Sequence, residues 1–391
     1  MKTKPTINST CNLLLASIVL LSFLPDTLSA QDIVINELLA SNTRDFPEMY
    51  DFGDYEDWIE LHNPANNEMM LNGYFLSDDI DQPLKWRIPE NTSIPAQDYL
   101  LLWADDLNVG PGEAYQRNSW PWDDYTTRHY HTNFKLNKGG EDLVLSRVNI
   151  DNSSILIAEG SIWKYLDDGS NQGTVWKDND FDDSNWSAGP AELGYGDGDE
   201  QTVISYGSDN QNKHITTYFR HEFDHSSPLQ PNDLILRLKR DDGAIVYLNG
   251  QEVVRSNMPM DENNYLTHAT SAVSSAAEDA FFSYSISPAE LLPGLNLIAV
   301  AIHQISETSS DVSFDCELVS LTYSESETID FVSFDQQYTD ISFGREPGTD
   351  TWSYFGEPTP GGANNTPPAY FLEMSSPVSI SQASGFFESP Q

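Results

Sequence analysis

His221-Glu222-Phe223-Asp224-His225 satisfies H-E-x-x-H, the pattern in which two histidines one helical turn apart hold zinc while the glutamate acts as general base. That chemistry needs a helix. Thr216, Thr217, Tyr218 and Phe219 precede the motif and Ser226-Ser227-Pro228 follows it, a run of strand formers and then a stop. On a strand, positions i and i+4 face the same way but lie roughly 13 Å apart, too far to share one ion. The expectation is an alternating strand with Phe219, His221 and Phe223 on one face. A zinc hydrolase built on His221 and His225 is the third-ranked alternative.

Carboxylates offer a second kind of chemistry. Asp178, Asp180 and Asp182 space like the opening of a calcium loop. However, Asp183 stands where the sharp turn needs glycine, and Gly189 where the bidentate glutamate belongs. Further acid clusters occur at Asp78, Asp79 and Asp81, at Asp197, Asp199 and Glu200, and at Asp241 and Asp242. Solvated turns account for such clusters, since Asp is an ordinary turn residue. A structural calcium held by Asp197, Asp199, Asp241 and Asp242 is the metal expectation. With 61 acidic residues, carboxylate pairs of the glycosidase kind are inevitable, and no spacing recommends one. No serine nucleophile elbow, phosphate-cradling glycine loop or kinase signature is present. The expected chain is non-catalytic.

A third possibility lies between Trp103 and His131, where the sequence runs through Tyr115, Trp120-Pro121-Trp122, Tyr125, His129 and Tyr130. Connections this long are functional or disordered more often than not. Trp120, Trp122 and Tyr125 could stack a sugar ring while Asp123 and Asp124 bond its hydroxyls. The alternative is that these large rings pack back onto the protein.

The elements that must position these residues are strands. Short alternating runs separated by Gly, Pro, Asn and Asp fill the chain, with the clearest at Ile33 to Leu39, Trp58 to Leu61, Tyr99 to Trp103, Leu143 to Leu145, Leu234 to Leu238, Ile245 to Leu248 and Leu297 to Ile302. Asn249-Gly250 between two β-rich arms predicts a type I′ hairpin. The fold class is all-β.

Composition sets the partners. The 61 acidic and 19 basic residues give a net charge of −42, which repels phosphate backbones and anionic lipid and so excludes nucleic acid. Aromatic residues make up 12% of the chain, enough apolar area for packed cores of two or three domains. Lys2 and Lys4, the apolar run Leu13 to Leu24 and the small-residue site Leu28-Ser29-Ala30 read as a signal peptide cleaved after Ala30. The protein is therefore expected to be secreted or displayed at the cell surface, with no membrane insertion. Cleavage would remove Cys11 and leave Cys316 without an intramolecular disulfide partner.

Ordered motifs carry a family resemblance. Ile35-Asn36-Glu37, Asp57-Trp58-Ile59-Glu60-Leu61-His62-Asn63, Gly73-Tyr74-Phe75-Leu76-Ser77-Asp78, Tyr99 to Asp105 and Gly140 to Leu145 resemble the bacterial lamin-tail domain. That resemblance implies an immunoglobulin-like sandwich. In the family a closing segment follows soon after, whereas here Ile329 to Phe334, Ser342 to Arg345 and Trp352 to Asn364 supply it far downstream. The expected sandwich is thus split, 31–150 plus 326–366, around an inserted domain. The rival arrangement is three consecutive modules.

The insert, 158–323, resembles a galactose-binding-like jelly roll at Trp163 to Gly169, Leu193 to Asp199 and Arg240 to Gly250. This implies a fold and no particular ligand. Residues 367–391 resemble a linker and the truncated start of a chitobiase-type module. Proteins with these modules often continue into a spore-coat-protein-H-type kinase domain. The expected function is binding, adhesion or surface organisation through an extracellular glycan or protein. The alternative is the accessory front of a larger secreted enzyme, kinase-like or hydrolytic.

Overall fold

A computed structural model describes residues 32–44, 55–106, 130–226, 230–259, 264–273 and 278–369. The expected signal peptide, the Trp120 to Tyr125 loop and the chitobiase-like segment from residue 370 onward lie outside the described residues. Within them the protein is all-β, an immunoglobulin-like sandwich with a jelly-roll sandwich inserted into it.

The first sandwich has a five-stranded sheet in the order Trp352–Phe355, Ser342–Arg345, Val34–Leu39, Trp58–His62, Tyr99–Trp103. Its inner residues Ile35, Leu38, Ile59, Leu61 and Leu102 are fully buried. They pack on Leu76, Trp86, Leu143, Leu145, Val332 and Phe334 of the facing sheet. Strands from opposite ends of the sequence meet here, with Glu37 opposite Gly344 and Leu38 opposite Phe343.

The second sandwich packs a six-stranded sheet, Ser187–Pro190, Ile162–Leu166, Thr216–His225, Gly294–His303, Gly243–Leu248, Gln251–Ser256, on strands that include Leu193–Tyr195, Asp233–Arg240 and Phe282–Ile286. Phe314 lies at its centre, stacked on Phe219 at 4.1 Å and edge-on to Trp163 at 4.9 Å. Cys316 is buried in the same core as a free thiol, its pKa raised by desolvation. The predicted hairpin is present, with φ of 49° at Asn249 and 86° at Gly250, the left-handed pair that a type I′ turn requires.

Two long strands, Glu141–Ile157 and Val312–Phe334, run through both sandwiches. They pair antiparallel from Glu141 opposite Phe334 to Ile157 opposite Leu318. Their middles, 149–155 and 324–328, are exposed, so the modules are joined by a hydrogen-bonded ribbon. Arg87 of the first module reinforces the junction. It is buried, and its Nη1 donates to Asp233 of the second module at 3.0 Å while Nη2 donates to Glu90 at 2.7 Å. Burial raises the Asp233 pKa against the opposing pull of Arg87, so the pair carries a real desolvation cost.

The segment that closes the first sandwich is held by two fully buried carboxyls. Glu37 accepts from Ser342 and from Thr359 N and Oγ1, and Glu60 accepts from Asn36 Nδ2 at 2.7 Å and from the Gly361 amide. Burial, reinforced by the neighbouring Glu37, pushes Glu60 to about 8. Desolvation also lifts Glu141 to about 7 and Asp57 to about 6.

Folded-state pKa values above the unfolded ones make these groups favour the protonated fold. Their contribution is complete below about pH 4.5 and is lost as pH rises through 6 to 8. Thermal melts from pH 5 to pH 9 should show stability falling, by up to about 1.4 kcal/mol per pH unit for Glu60 alone. A melting temperature that rises over this range would contradict the assignment. For the junction, Arg87→Ala should lower the stability measured by urea denaturation by about 3 kcal/mol, since it strands a buried carboxylate. Arg87→Met with Asp233→Leu should recover most of that loss.

Candidate functional site

The H-E-x-x-H residues lie on the strand Thr216–His225, with His221 opposite Ile298 and His225 opposite Gly294. Their places on the ladder are four residues apart, so one zinc cannot take both. His221 also has a structural surrounding. His221 Nδ1 lies 2.9 Å from the Ile162 carbonyl with its ring 5.1 Å from Trp163, and burial lowers its pKa. His225 is 4% exposed, and its Nε2 is buried without a hydrogen-bond partner among the described residues. Phe219 and Phe223 point into the core, as alternation predicts. The helix the zinc reading needs is replaced by strand because Tyr218 and Arg220 must face the other side, where Arg220 donates to Asp183 at 2.8 Å.

Two of the acid clusters are engaged in turns and ion pairs. Asp78 pairs with Lys85 at 2.6 Å, and Asp79 accepts from the Asp81 amide and from Gln82. Within the failed calcium loop, Asp182 accepts from the Ser184 amide, while Asp183 binds Lys164 and Arg220.

The remaining acids converge at one end of the second sandwich. Asp241 and Asp242 form the corner between Asp233–Arg240 and Gly243–Leu248. The two residues have opposite fates. Asp242 ties down two loops, accepting from the Val273 and Ile305 amides at 2.8 Å each. Asp241 is 1% exposed, and neither of its carboxylate oxygens has a hydrogen-bond partner among the described residues.

Asp311 is among the charges that, after burial and Asp242, raise the Asp241 pKa. Asp311 groups with Asp197 and Glu278, their carboxylate oxygens all within 4.8 Å of one another. Gly196, with φ of 122°, permits the approach, because a Cβ there would stand 2.6 Å from the Asp311 Cβ. Desolvation, then Asp311, Glu278 and Asp199, push Asp197 to about 6. Asp199 belongs to an outer turn with Glu200, whose carboxylate accepts from the Asp197 and Gly198 amides.

Of the four predicted metal residues, the structure groups Asp197 with Asp199, turns Asp242 to backbone amides and buries Asp241 outside both groups. Asp311 and Glu278 escaped sequence reasoning. Each is a single acid in a polar loop, and no spacing links either to residues tens of positions away.

A cleft of about 740 Å³ opens between the two sandwiches. Trp86, Arg87, Pro89 and Glu90 line one wall, and Asp233, Val253, Tyr284, Ser285 and Tyr323 the other. Its charges are internally matched: Arg87 with Glu90 and Asp233, Lys85 with Asp78, and Arg255 with Glu252 at 2.7 Å. Such a wall offers hydroxyls, amide groups and spare carboxylate lone pairs rather than a net field. Trp120, Trp122, Tyr125, Asp123 and Asp124 lie outside the described residues.

The fold and this interface define a two-module β-sandwich protein. Residues 27–253 match the family described as the Lamin Tail Domain, and the chain belongs to that family. The match extends into the second sandwich and stops before Ser342–Arg345 and Trp352–Phe355, which complete the first.

No curated protein matches the sequence. Among solved structures, a β-glucuronidase of Bacteroides uniformis is similar at 17% identity over 44% of this chain and 18% of that one, with a TM-score of 0.30. A β-glucuronidase of an uncultured Clostridium sp. has 15% identity over 45% and 30%, with a TM-score of 0.29. A β-glycosidase of Bacteroides vulgatus has 16% identity over 43% and 20%, with a TM-score of 0.27. The chain spans less than a third of the length of each.

If His221 and His225 are structural, zinc titration should give the same stoichiometry for the wild type and for a His221→Ala, His225→Ala double variant. Loss of a bound equivalent in the variant would restore the zinc reading.

Proposed function

We propose that this protein is a non-catalytic extracellular binding protein whose two sandwiches form a cleft for a neutral carbohydrate. The observation that carries this reading is the charge-matched wall between the modules. A charged ligand would have to break Arg87 from Glu90 or Asp233, whereas a polyol bonds the lone pairs those ion pairs leave free. Tyr284 and Tyr323 are half-buried at the wall, and aromatic side chains of this kind suit a sugar ring.

Export by the N-terminal signal, and exclusion of nucleic acid by a net charge of −42, belong to the same reading. No helix among the described residues is long and apolar enough to cross a membrane.

Glycan-array screening followed by calorimetry on the best hit tests the proposal. Tyr284→Ala with Tyr323→Ala should weaken binding at least about tenfold, and wild-type affinity should change little between low and high salt. Trp120→Ala with Trp122→Ala serves as a parallel arm for the loop outside the described residues. Undiminished binding by the tyrosine double variant would remove the cleft from the reading. Failure of every glycan to bind would remove carbohydrate from it.

A further inference from the structure

We propose that the outer face of the six-stranded sheet in the second sandwich holds a pocket for a single neutral sugar ring, separate from the cleft between the modules. The strand Gly294–His303 runs inside that sheet, between Thr216–His225 and Gly243–Leu248. Leu297, Ala299, Ala301 and His303 share its outer face by alternation. Ala301 lies opposite Tyr218 on one neighbouring strand, and Ala299 lies opposite Tyr247 on the other. Two alanines between two tyrosines leave a trough. Trp176 packs over it, with its ring 4.7 Å from Tyr218 and 5.7 Å from Tyr247.

These three rings, with Tyr265, Ala301 and His303, line a cavity of about 230 Å³. That is below the roughly 300–1,000 Å³ of clefts that take drug-sized ligands, and it suits one ring.

His303 supplies the polar group. It is 1% exposed, and its Nδ1 lies 2.8 Å from the Thr267 carbonyl and 2.9 Å from the Thr216 hydroxyl. A carbonyl can only accept, so Nδ1 carries the ring proton and Nε2 is an acceptor. Among the described residues Nε2 has no hydrogen-bond partner. Burial holds His303 at about 4, so the ring is neutral near pH 7 and Nε2 stays an acceptor. A buried acceptor left unpaired is costly. A ligand hydroxyl at this end of the cavity would remove that cost.

The other lining groups narrow the ligand further. An anion would have to draw Lys177 from the Gly250 carbonyl, to which its Nζ donates at 2.9 Å, and from the Tyr247 ring, 4.5 Å away. A cation would meet Lys177 without a spare carboxylate, because Glu252 accepts from Arg255 Nε and Nη2 at 2.7 Å each. A hydrocarbon would cover Nε2 without giving it a donor. A pyranose meets every condition, with hydroxyl donors on a ring whose C–H face packs against aromatic side chains.

Calorimetry and saturation-transfer NMR on the full chain, with glucose, galactose and mannose at millimolar concentration, provide the test. At least one hexose should bind the wild type. His303→Asn keeps a donor for the Thr267 carbonyl and removes the second ring nitrogen, so it should weaken binding about tenfold. Ala301→Val suits a strand and fills the trough, so it should abolish binding. Thermal melts of both variants establish that they fold. Neither residue lines the cleft, so this result is independent of the one for longer glycans.

Failure of every hexose to bind the wild type would overturn the pocket and leave water as the partner of Nε2. Hexose binding that survives in both folded variants would overturn it as well. Its loss in Tyr284→Ala with Tyr323→Ala would then move the sugar to the cleft.

Discussion

The structure depends on one antiparallel pairing, between Glu141–Ile157 and Val312–Phe334. Each strand leaves one sandwich, crosses an exposed interval and enters the other, so the inserted module is continuous with the sheet of its host. A flexible tether would let the modules tumble independently. A ribbon whose backbone groups bond across it does not bend as a tether does, because bending costs ladder hydrogen bonds. Register shifts at Leu318/Val319, Thr322/Tyr323, Tyr323/Ser326 and Thr328/Asp330 add local twist along the ribbon and help set the angle at which the second sandwich meets the first.

That pairing explains where buried charge is tolerated. Arg87 and Asp233 come from different modules and would each be exposed if the modules separated; joined, they are 6% and 5% exposed. Glu37 and Glu60 sit in the first sandwich, where Thr359, Gly361 and Asn364 return after the whole insertion. The insertion does not disturb this closing segment, because both ends of the inserted module leave on adjacent strands of one ladder. The chain re-enters the host sheet beside the point from which it left.

Much of this was legible in the sequence, and the omissions have a physical cause. Strands such as Trp58–His62, Tyr99–Trp103 and Gly243–Leu248 bury one or both faces, so alternation or a continuous apolar run marks them. The turn at Asn249-Gly250 was readable because few other residues accept positive φ twice in succession. The polar stretches 149–155 and 324–328 gave no such signal. Both faces of the ribbon meet water there, so no hydrophobic pattern is required, and pairing at long sequence separation leaves no local trace.

The acid centre follows the same logic. Asp197 stood out in a cluster with Asp199 and Glu200, while Asp311 and Glu278 are visible beside it only once the fold has gathered them. Arg87 carried no sequence signal of its role at the junction, because its partner Asp233 lies 146 positions away.

The cleft is a consequence of the ribbon and the Arg87 contact acting together. Its walls belong to different sandwiches, and separation or rotation of the modules would change its width. The ribbon fixes one side, through Tyr323 near its junction with the second sandwich, and the Arg87–Asp233 pair fixes another. With two independent attachments the walls cannot hinge about either one alone. A cleft held open in this way spends little conformational entropy on closing around a ligand. Its charged side chains are already oriented by one another, so the proposed glycan would be selected by shape and by the hydrogen-bonding positions that the ion pairs leave exposed.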